Sequence, residues 1–593
     1  MRKPLTFPQM NMYDTEKFFG GTSICNVGGC IFFGYDVDVS KLRKTINTLV
    51  ANSDGIRIKI DTKEKVPVQY AEEYINQDFE MVNLSEASYK DILKKWMYEP
   101  FNLSDRLYSF KLINVDNNIG VFVKLHHLIC DAWGVTLIAS KLIEYYNKLL
   151  SGKGISADDI PSYFKYVEKE EEYKNSSKFE SDKEFWESKY EVKPTLVTMS
   201  PNKKTTLDVK AYRSSFVVPL EETEAIRKYC ADNQISPAVL LEAVIALYAA
   251  RINNADDVTL CSLVINRNGI EEKKTIGMFN NILPLTIPID YNETFLDLCQ
   301  KIATEHYQVF RHQKYPLSNI VDYVREKHGK DAELYDIMVS YQNGKIENAG
   351  KENKTEWIFN GTSDLGFMLN ISDRDNDDLL NFDFDYRRDC FEKEEVERIY
   401  YRLINMVNQV VVNQDITCKN IDIITYFEKE QILIDFNNTK KEYPRNKCLH
   451  DFLEENVLKN PNKVALRFQG KELTYKEFNE KVNSLANCIV KNVEKRNSII
   501  GVMMERSFEM MIAIYAIIKA GHAYMPMDPH FPKDRIEFML EDSNAPFILT
   551  QTKWKNEFEE IDRFVDVETF DFDVYSKENP DVVTVSTDIA YVI

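Results

Sequence analysis

Between Asn437 and Arg445 the sequence runs NNTKKEYPR, polar and charged with a proline, the composition of a linker rather than of a packed element. It parts the 593 residues into a mixed succession of strand and helix patterns reaching about residue 427 and a new unit opening near Leu449. At about 150 residues per domain the length admits three or four globular units. With 44% hydrophobic and 12% aromatic residues the chain can fill real cores, and global disorder is excluded. Lys and Arg number 74 against 94 Asp and Glu, a net charge of −20, and no cluster of basic residues offers a nucleic-acid footprint. Ten cysteines stand singly with no CxxC pair, which predicts free thiols in a reducing compartment. The N-terminus MRKPLTFPQM has no apolar run behind its charges, and the longest apolar run, Met510 to Ile518, falls short of the roughly 20 residues a bilayer requires. A cytoplasmic chain with no membrane partner is expected.

Periodicity places the elements. Val39 to Ser53 sets Leu42, Ile46, Leu49 and Val50 on one side of a helix, and the IRIKI that follows alternates as a short strand. Ile119 to Leu125 (IGVFVKL) alternates too, and residues 133–149 resume a helical period closed by Ser151-Gly152. Glu168 to Lys189 reads as one solvated helix anchored by Phe185 and Trp186. Residues 222–233 and 236–252 read as helices, Val258 to Ile265 as a buried strand, and the closing DIAYVI as a strand cut short at Ile593.

Of eight histidines two are adjacent, His126 and His127 in LHHLICDAWG, where the alternating strand gives way to a loop and a helix. By strand parity His127 shares a face with Val121, Val123 and Leu125, and His126 points the other way. An imidazole delivered by a rigid strand into a cleft suits a general base, because its pKa lies near working pH. Asp131, four residues on, can fix the loop by a charge-assisted bond. The bland alternative is a packed histidine pair. A His-x3-Asp metal pair lacks a third ligand, so no metal is expected.

His126 to Ala132, HHLICDA, resembles the HHxxxDG signature of nonribosomal peptide synthetase condensation domains, relatives of chloramphenicol acetyltransferase, with Ala132 in place of glycine. Further segments follow in the order of that family. Pro4 to Gln9 resembles its opening motif, and Asn52 to Arg57 stands, much altered, where RHExLR is expected. Ser162-Tyr163-Phe164 leads to Phe185-Trp186, Ile276 to Asn281 resembles IGxFVN with one departure, and His312 to Pro316 resembles HQDYP. Asp336 to Asn343 also looks like a family segment. Beyond the linker, Leu473 to Ala486 (LTYKEFNEKVNSLA) and Lys519 to Pro529 (KAGHAYMPMDP) resemble the first two motifs of an adenylation domain, whose phosphate loop and catalytic lysine do not follow.

The resemblance implies an α/β fold: two chloramphenicol-acetyltransferase-like sandwich lobes in a V, residues 1–180 and 181–430, then a linker over 431–448 and an incomplete adenylate-forming core over 449–593. It implies amide formation between a donor acyl or peptidyl thioester and the amine of an aminoacyl acceptor, each tethered to a carrier protein by phosphopantetheine. No cofactor would be bound covalently, and ATP with Mg would belong to a complete adenylation domain. With no carrier domain within the chain, both carriers are expected in trans or downstream. His127 would orient or deprotonate the amine, or stabilise the tetrahedral intermediate. His126 and Asp131 would be structural, with Arg267 of VINRN as the partner of Asp131 and Arg57 as the runner-up. Trp133, Gly134, Asn280, Ser340 and Gln342 would line the substrate tunnel. An epimerisation domain, a stand-alone acyltransferase making an ester or small-molecule amide, and a non-catalytic carrier-docking platform are the rivals; the adenylation-like tail and the retained histidine favour condensation.

Overall fold

The computed structural model describes residues 2–63, 66–202, 208–347, 349–350, 353–373, 379–558 and 561–593. The chain divides between residues 437 and 438, where the NNTKKEYPR stretch begins. In the first unit the predicted alternation becomes the strand Asn118–His126, set in a five-stranded sheet in the order Thr355–Trp357, Asn26–Gly34, Asn118–His126, Tyr108–Val115, Met81–Leu84. Val121, Val123 and Leu125 face the core under the helices Val39–Asn52 and Ala132–Leu150, and Phe122 faces a smaller cluster with Leu93 and Met97. The helix Val39–Asn52 starts at Asp38, whose Oδ1 accepts the Lys41 N–H at 3.0 Å, and it buries Leu42, Ile46, Leu49 and Val50 at the predicted spacing.

A second, six-stranded sheet runs Asn281–Pro288, Asp257–Val264, Ile337–Gln342, Phe367–Ser372, Asn381–Arg387, Ala211–Val217. Its core helix Pro237–Asn253 buries every residue from Val239 to Ala250, and all of these but Glu242 are apolar or aromatic. Among the described residues no single helix is long and apolar enough to cross a membrane.

Three expectations are corrected. The strand Thr355–Trp357, from the second half of the chain, pairs antiparallel with Asn26–Gly34, so the division at residues 180 and 181 does not separate the two sheets. The physical reason is an otherwise open edge on the first sheet, which this strand covers. The segment 168–189 is not one solvated helix but parts of two, Tyr163–Lys174 and Ser177–Lys189, broken where Ser176 caps the second by accepting the Phe179 N–H. Their supposedly solvated face holds a buried carboxylate: Asp182 accepts from Tyr173 Oη at 2.7 Å and Lys178 Nζ at 2.5 Å, and lies 2.6 Å from His312 Nδ1. Third, DIAYVI forms no strand; a parallel bridge, Tyr524 to Tyr591, and an ion pair of Asp588 with Arg496 at 2.7 Å join it to the rest of the second unit.

Glu170, on the first of those helices, accepts the Phe7 N–H at 2.8 Å and is buried. Burial pushes its carboxyl up from 4.5 to about 7, against the pull of Lys174. The folded chain therefore keeps this proton to higher pH than the unfolded chain. The stability it contributes is complete below about 4.5 and lost as pH rises through 7, on the order of 3 kcal/mol in all. Glu170→Gln should flatten the fall in melting temperature of the first unit between pH 4.5 and 8. A variant whose melting temperature falls as steeply as the parent's would remove Glu170 as the cause.

In the second unit a parallel sheet, ordered Ala523–Pro526, Ile499–Met503, Ile548–Thr550, Phe564–Asp566, carries the helices Tyr475–Asn492 and Phe508–Lys519 on a shared core. The expected helix in LTYKEFNEKVNSLA begins at Thr474, whose side chain accepts the Glu477 N–H while the Glu477 carboxylate accepts from the Thr474 backbone.

Candidate functional site

The antiparallel ladder between Asn118–His126 and Asn26–Gly34 ends at the pair His126–Asn26, and the His127 N–H continues it by donating to Cys25 O at 2.6 Å. The two rings thus leave a rigid backbone on opposite sides. His126 is buried: its Nδ1 accepts the Leu128 N–H at 3.0 Å, and Nε2 lies 3.4 Å from Glu16 Oε2. His127 instead lines a cavity of about 530 Å³ between the lobes, with Cys25, Asn280, Ser340 and Gln342 also on its walls. Its Nδ1 is enclosed and makes no hydrogen bond to another described residue. Burial lowers the His127 pKa below 6.5, against the Asp131 carboxylate and its own main chain, so the ring is neutral near pH 7.

Asp131 is the N-cap of the helix Ala132–Leu150 and the pin between the two lobes. Its Oδ1 accepts the Gly134 N–H at 2.7 Å and Arg267 Nη2 at 2.8 Å; Oδ2 accepts Arg267 Nη2 and the Phe279 N–H, each at 3.0 Å, and the Asn280 N–H at 3.3 Å. Arg267 also donates to the carbonyls of Glu272, Thr275 and Gly277, with its guanidinium 4.0 Å from the Phe279 ring centre. Arg57, the runner-up, donates instead to the carbonyls of Val50 and Glu72. Gly277 has to be glycine, because a Cβ there would lie 2.1 Å from the Tyr163 ring, whose hydroxyl donates to Met278 O at 2.6 Å. Ala132, the departure from the HHxxxDG glycine, is the first residue of its helix and has no positive φ, so a methyl group fits there.

The remaining tunnel candidates divide. Asn280, Ser340 and Gln342 line the cavity; Trp133 lines a small adjoining one of about 50 Å³ and donates from Nε1 to Lys273 O at 3.0 Å. Gly134 lines neither, because it packs against Cys130 Sγ, 2.5 Å from where its Cβ would be, and its N–H is the one that the Asp131 cap accepts. Sequence reading missed the cavity residues Arg213, Asn370, Asp383 and Asp385. The signal was present in NFDFDYR (Asn381 to Arg387), an alternation that puts two acids on one face of a strand.

One cluster has the composition of a metal site: Glu16, Cys25 and His126 bring ligand atoms within 4.8 Å of one another. The donors do not suit an ion. The Leu128 N–H takes the Nδ1 lone pair of His126, so the neutral ring carries its proton on Nε2, the atom facing Glu16. Burial, then Glu16, also drives the Cys25 thiol far from ionisation.

The family model described as Condensation domain matches residues 2–433, and the one described as AMP-binding enzyme matches residues 453–591. A plipastatin synthase component of Bacillus subtilis (strain 168) is 29% identical over 558 residues, covering 92% of this chain and 22% of that protein. Surfactin synthase subunit 1 of the same organism is 29% identical over 564 residues, covering 93% and 16%. The chain therefore spans about a fifth of these relatives' length. Among solved structures, a holo four-domain nonribosomal peptide synthetase bound to AMP and glycine superposes with a TM-score of 0.80 at 16% identity, over 96% of this chain and 45% of that one. The first condensation domain of the CDA synthetase superposes at 0.61 and 17% identity, over 72% and 99%. With its two sheets, its HHxxxD loop and a family match over residues 2–433, the chain belongs to the condensation-domain family of nonribosomal peptide synthetases, continued by a segment that matches the AMP-binding enzymes.

Proposed function

We propose that the chain joins two carrier-tethered substrates by an amide bond in the cavity between its lobes. The observation that carries this reading is the neutral imidazole of His127 on the cavity wall, beside a loop clamped across the lobes by Asp131 and Arg267. The acceptor amine attacks the donor thioester carbonyl, forming the C–N bond. His127 takes a proton from the attacking nitrogen, the tetrahedral intermediate collapses with cleavage of the C–S bond, and the proton passes to the leaving pantetheine thiolate. Tethering both substrates in one cavity supplies orientation that is worth several powers of ten in effective concentration. Phosphopantetheine arms reach the cavity from donor and acceptor carriers, in trans or on adjoining segments of a longer synthetase. The ten free cysteines support action in the reducing cytoplasm. The deciding assay mixes this chain with two loaded carriers and follows the dipeptidyl thioester; transfer to water or to a free alcohol, with none to the acceptor amine, would replace condensation with a different acyl transfer.

The residues of the second unit do not fit ATP. Its buried cation, Lys519, spends its ammonium on Asn479, Asn483 and Asn579 at 2.7–2.9 Å and on Glu454 at 3.0 Å, and residues 449–593 contain no Ser/Thr/Gly-rich phosphate loop. Amino-acid-dependent pyrophosphate exchange by these 593 residues should stay at the blank, and exchange above it would show that another group binds the phosphates.

A further inference from the structure

The second-lobe sheet turns a polar face to the cavity. Strand register puts Ser340 opposite Asn370, Asn370 opposite Asp383, and Asp385 opposite Arg213, so these side chains share one side of the sheet. Their strand neighbours Val339, Leu369, Phe382 and Phe384 point the other way, into the apolar core. A sheet face that closed only against protein would carry apolar residues here too. The charges are unbalanced as well. Arg213 gives its Nε and Nη2 to Asp385 at 2.6 and 2.7 Å, and Asn370 Nδ2 donates to the same carboxylate at 2.9 Å. That leaves Asp383 with one long contact to Arg213 Nη1, 3.3 Å, and the Ser215 hydroxyl at 2.5 Å. Burial, and beyond the opposing pull of Arg213 the neighbouring Asp383, push the Asp385 carboxyl up from its usual range. Across the whole cavity, five aspartates face two arginines, with no lysine or glutamate among the described lining residues.

We propose that Asp383, Asp385 and the sheet face around them form a subsite for a cationic side chain, an ammonium or guanidinium, on one of the two tethered substrates. It rests on the condensation reading only in taking those substrates to be aminoacyl thioesters. An incoming cation supplies the positive charge that Arg213 alone does not, at a carboxylate with unused lone pairs in a wall where water is partly excluded. A fatty-acyl chain would cover the same carboxylates without pairing them.

The test is equilibrium binding of lysyl-, norleucyl- and glutamyl-pantetheine to the full chain; all three carry the same α-amine and thioester, so differences report the side chain. Lysyl-pantetheine should bind about tenfold tighter than norleucyl, the equivalent of about 1.4 kcal/mol, and glutamyl weakest. Asp383→Asn should bring lysyl and norleucyl binding to within twofold of each other, and added salt should shrink the preference in the parent. Lysyl and norleucyl binding within twofold of each other in the parent overturns the subsite, whatever the variant does. Condensation of loaded carriers is measured alongside. A lysyl preference lost in Asp383→Asn with no condensation of any pair leaves the subsite standing and removes the amide-forming reading. Condensation of loaded carriers together with lysyl and norleucyl binding within twofold does the reverse.

Discussion

On the proposed mechanism His127→Ala should lower the rate of amide formation between two loaded carriers by roughly 10²–10⁴-fold, the usual cost of a lost general base, while the melting temperature and carrier binding stay near those of the parent. Structure should remain because the ring Nδ1 makes no hydrogen bond to another described residue, and the strand is anchored through the backbone bond to Cys25 O. Chemistry should be lost because His127 is the imidazole on the cavity wall, while the His126 ring is turned toward Glu16. His126→Ala should behave in the opposite way, removing the acceptor of the Leu128 N–H and a buried contact, so that stability falls first. The pH profile separates a base from a mere filler of space. Burial holds the His127 pKa below 6.5, so the acid limb of kcat/KM that it governs lies below the ordinary histidine range, and that limb disappears in His127→Ala. The titration of the acceptor amine persists in both proteins. A variant that condenses at close to the parent rate would leave positioning alone to carry the reaction.

The sidedness of the two histidines was legible because a strand has a period of two and IGVFVKL shows it without interruption; the structure adds only the backbone bond that extends the ladder one residue further. The pairing of Asp131 with Arg267 was not legible from spacing. The residues are 136 positions apart, and the expectation came from a family resemblance, since no local pattern encodes a contact across lobes. The edge strand Thr355–Trp357 had no readable sign: three residues on an open edge are chosen by where the chain returns, not by their own propensity. The break at Asn175–Ser176 could have been read from KNSS, where a serine cap restarts the helix, but the density of charge drew attention to solvent instead. That same density hid Asp182, which is buried and meets His312, 130 residues away. Gly134 was misplaced on the tunnel for a related reason. A glycine beside the HHxxxD loop suits a tunnel wall by sequence, but Cys130 Sγ occupies the space its side chain would need.

Asp131→Asn should cost the first unit about 3–5 kcal/mol, the penalty for stranding one member of a buried ion pair. Both partners are almost wholly enclosed, with side-chain exposures of 2% for Asp131 and 0% for Arg267, so water cannot take the place of the lost charge. The isosteric amide cannot satisfy the site either. Every group around the carboxylate is a donor: the N–H groups of Gly134, Phe279 and Asn280, and the Arg267 guanidinium. An asparagine must turn its NH2 toward some of these donors, so the variant loses acceptors as well as charge. Because Gly134 belongs to the first lobe while Arg267, Phe279 and Asn280 belong to the second, the damage falls on the joint that shapes the cavity, and condensation activity should fall with stability. Arg267→Met, which removes the unpaired cation along with its hydrogen bonds, supplies the second arm. If the two residues act as one clamp, the double variant is less destabilised than the sum of the singles, with a coupling of about 1–3 kcal/mol. Calorimetry of the four proteins measures it, following the transition of the first unit. Strict additivity, or an Asp131→Asn melting temperature within a degree of the parent's, would mean that the lobes are held by their apolar contacts and that the pair merely occupies the joint.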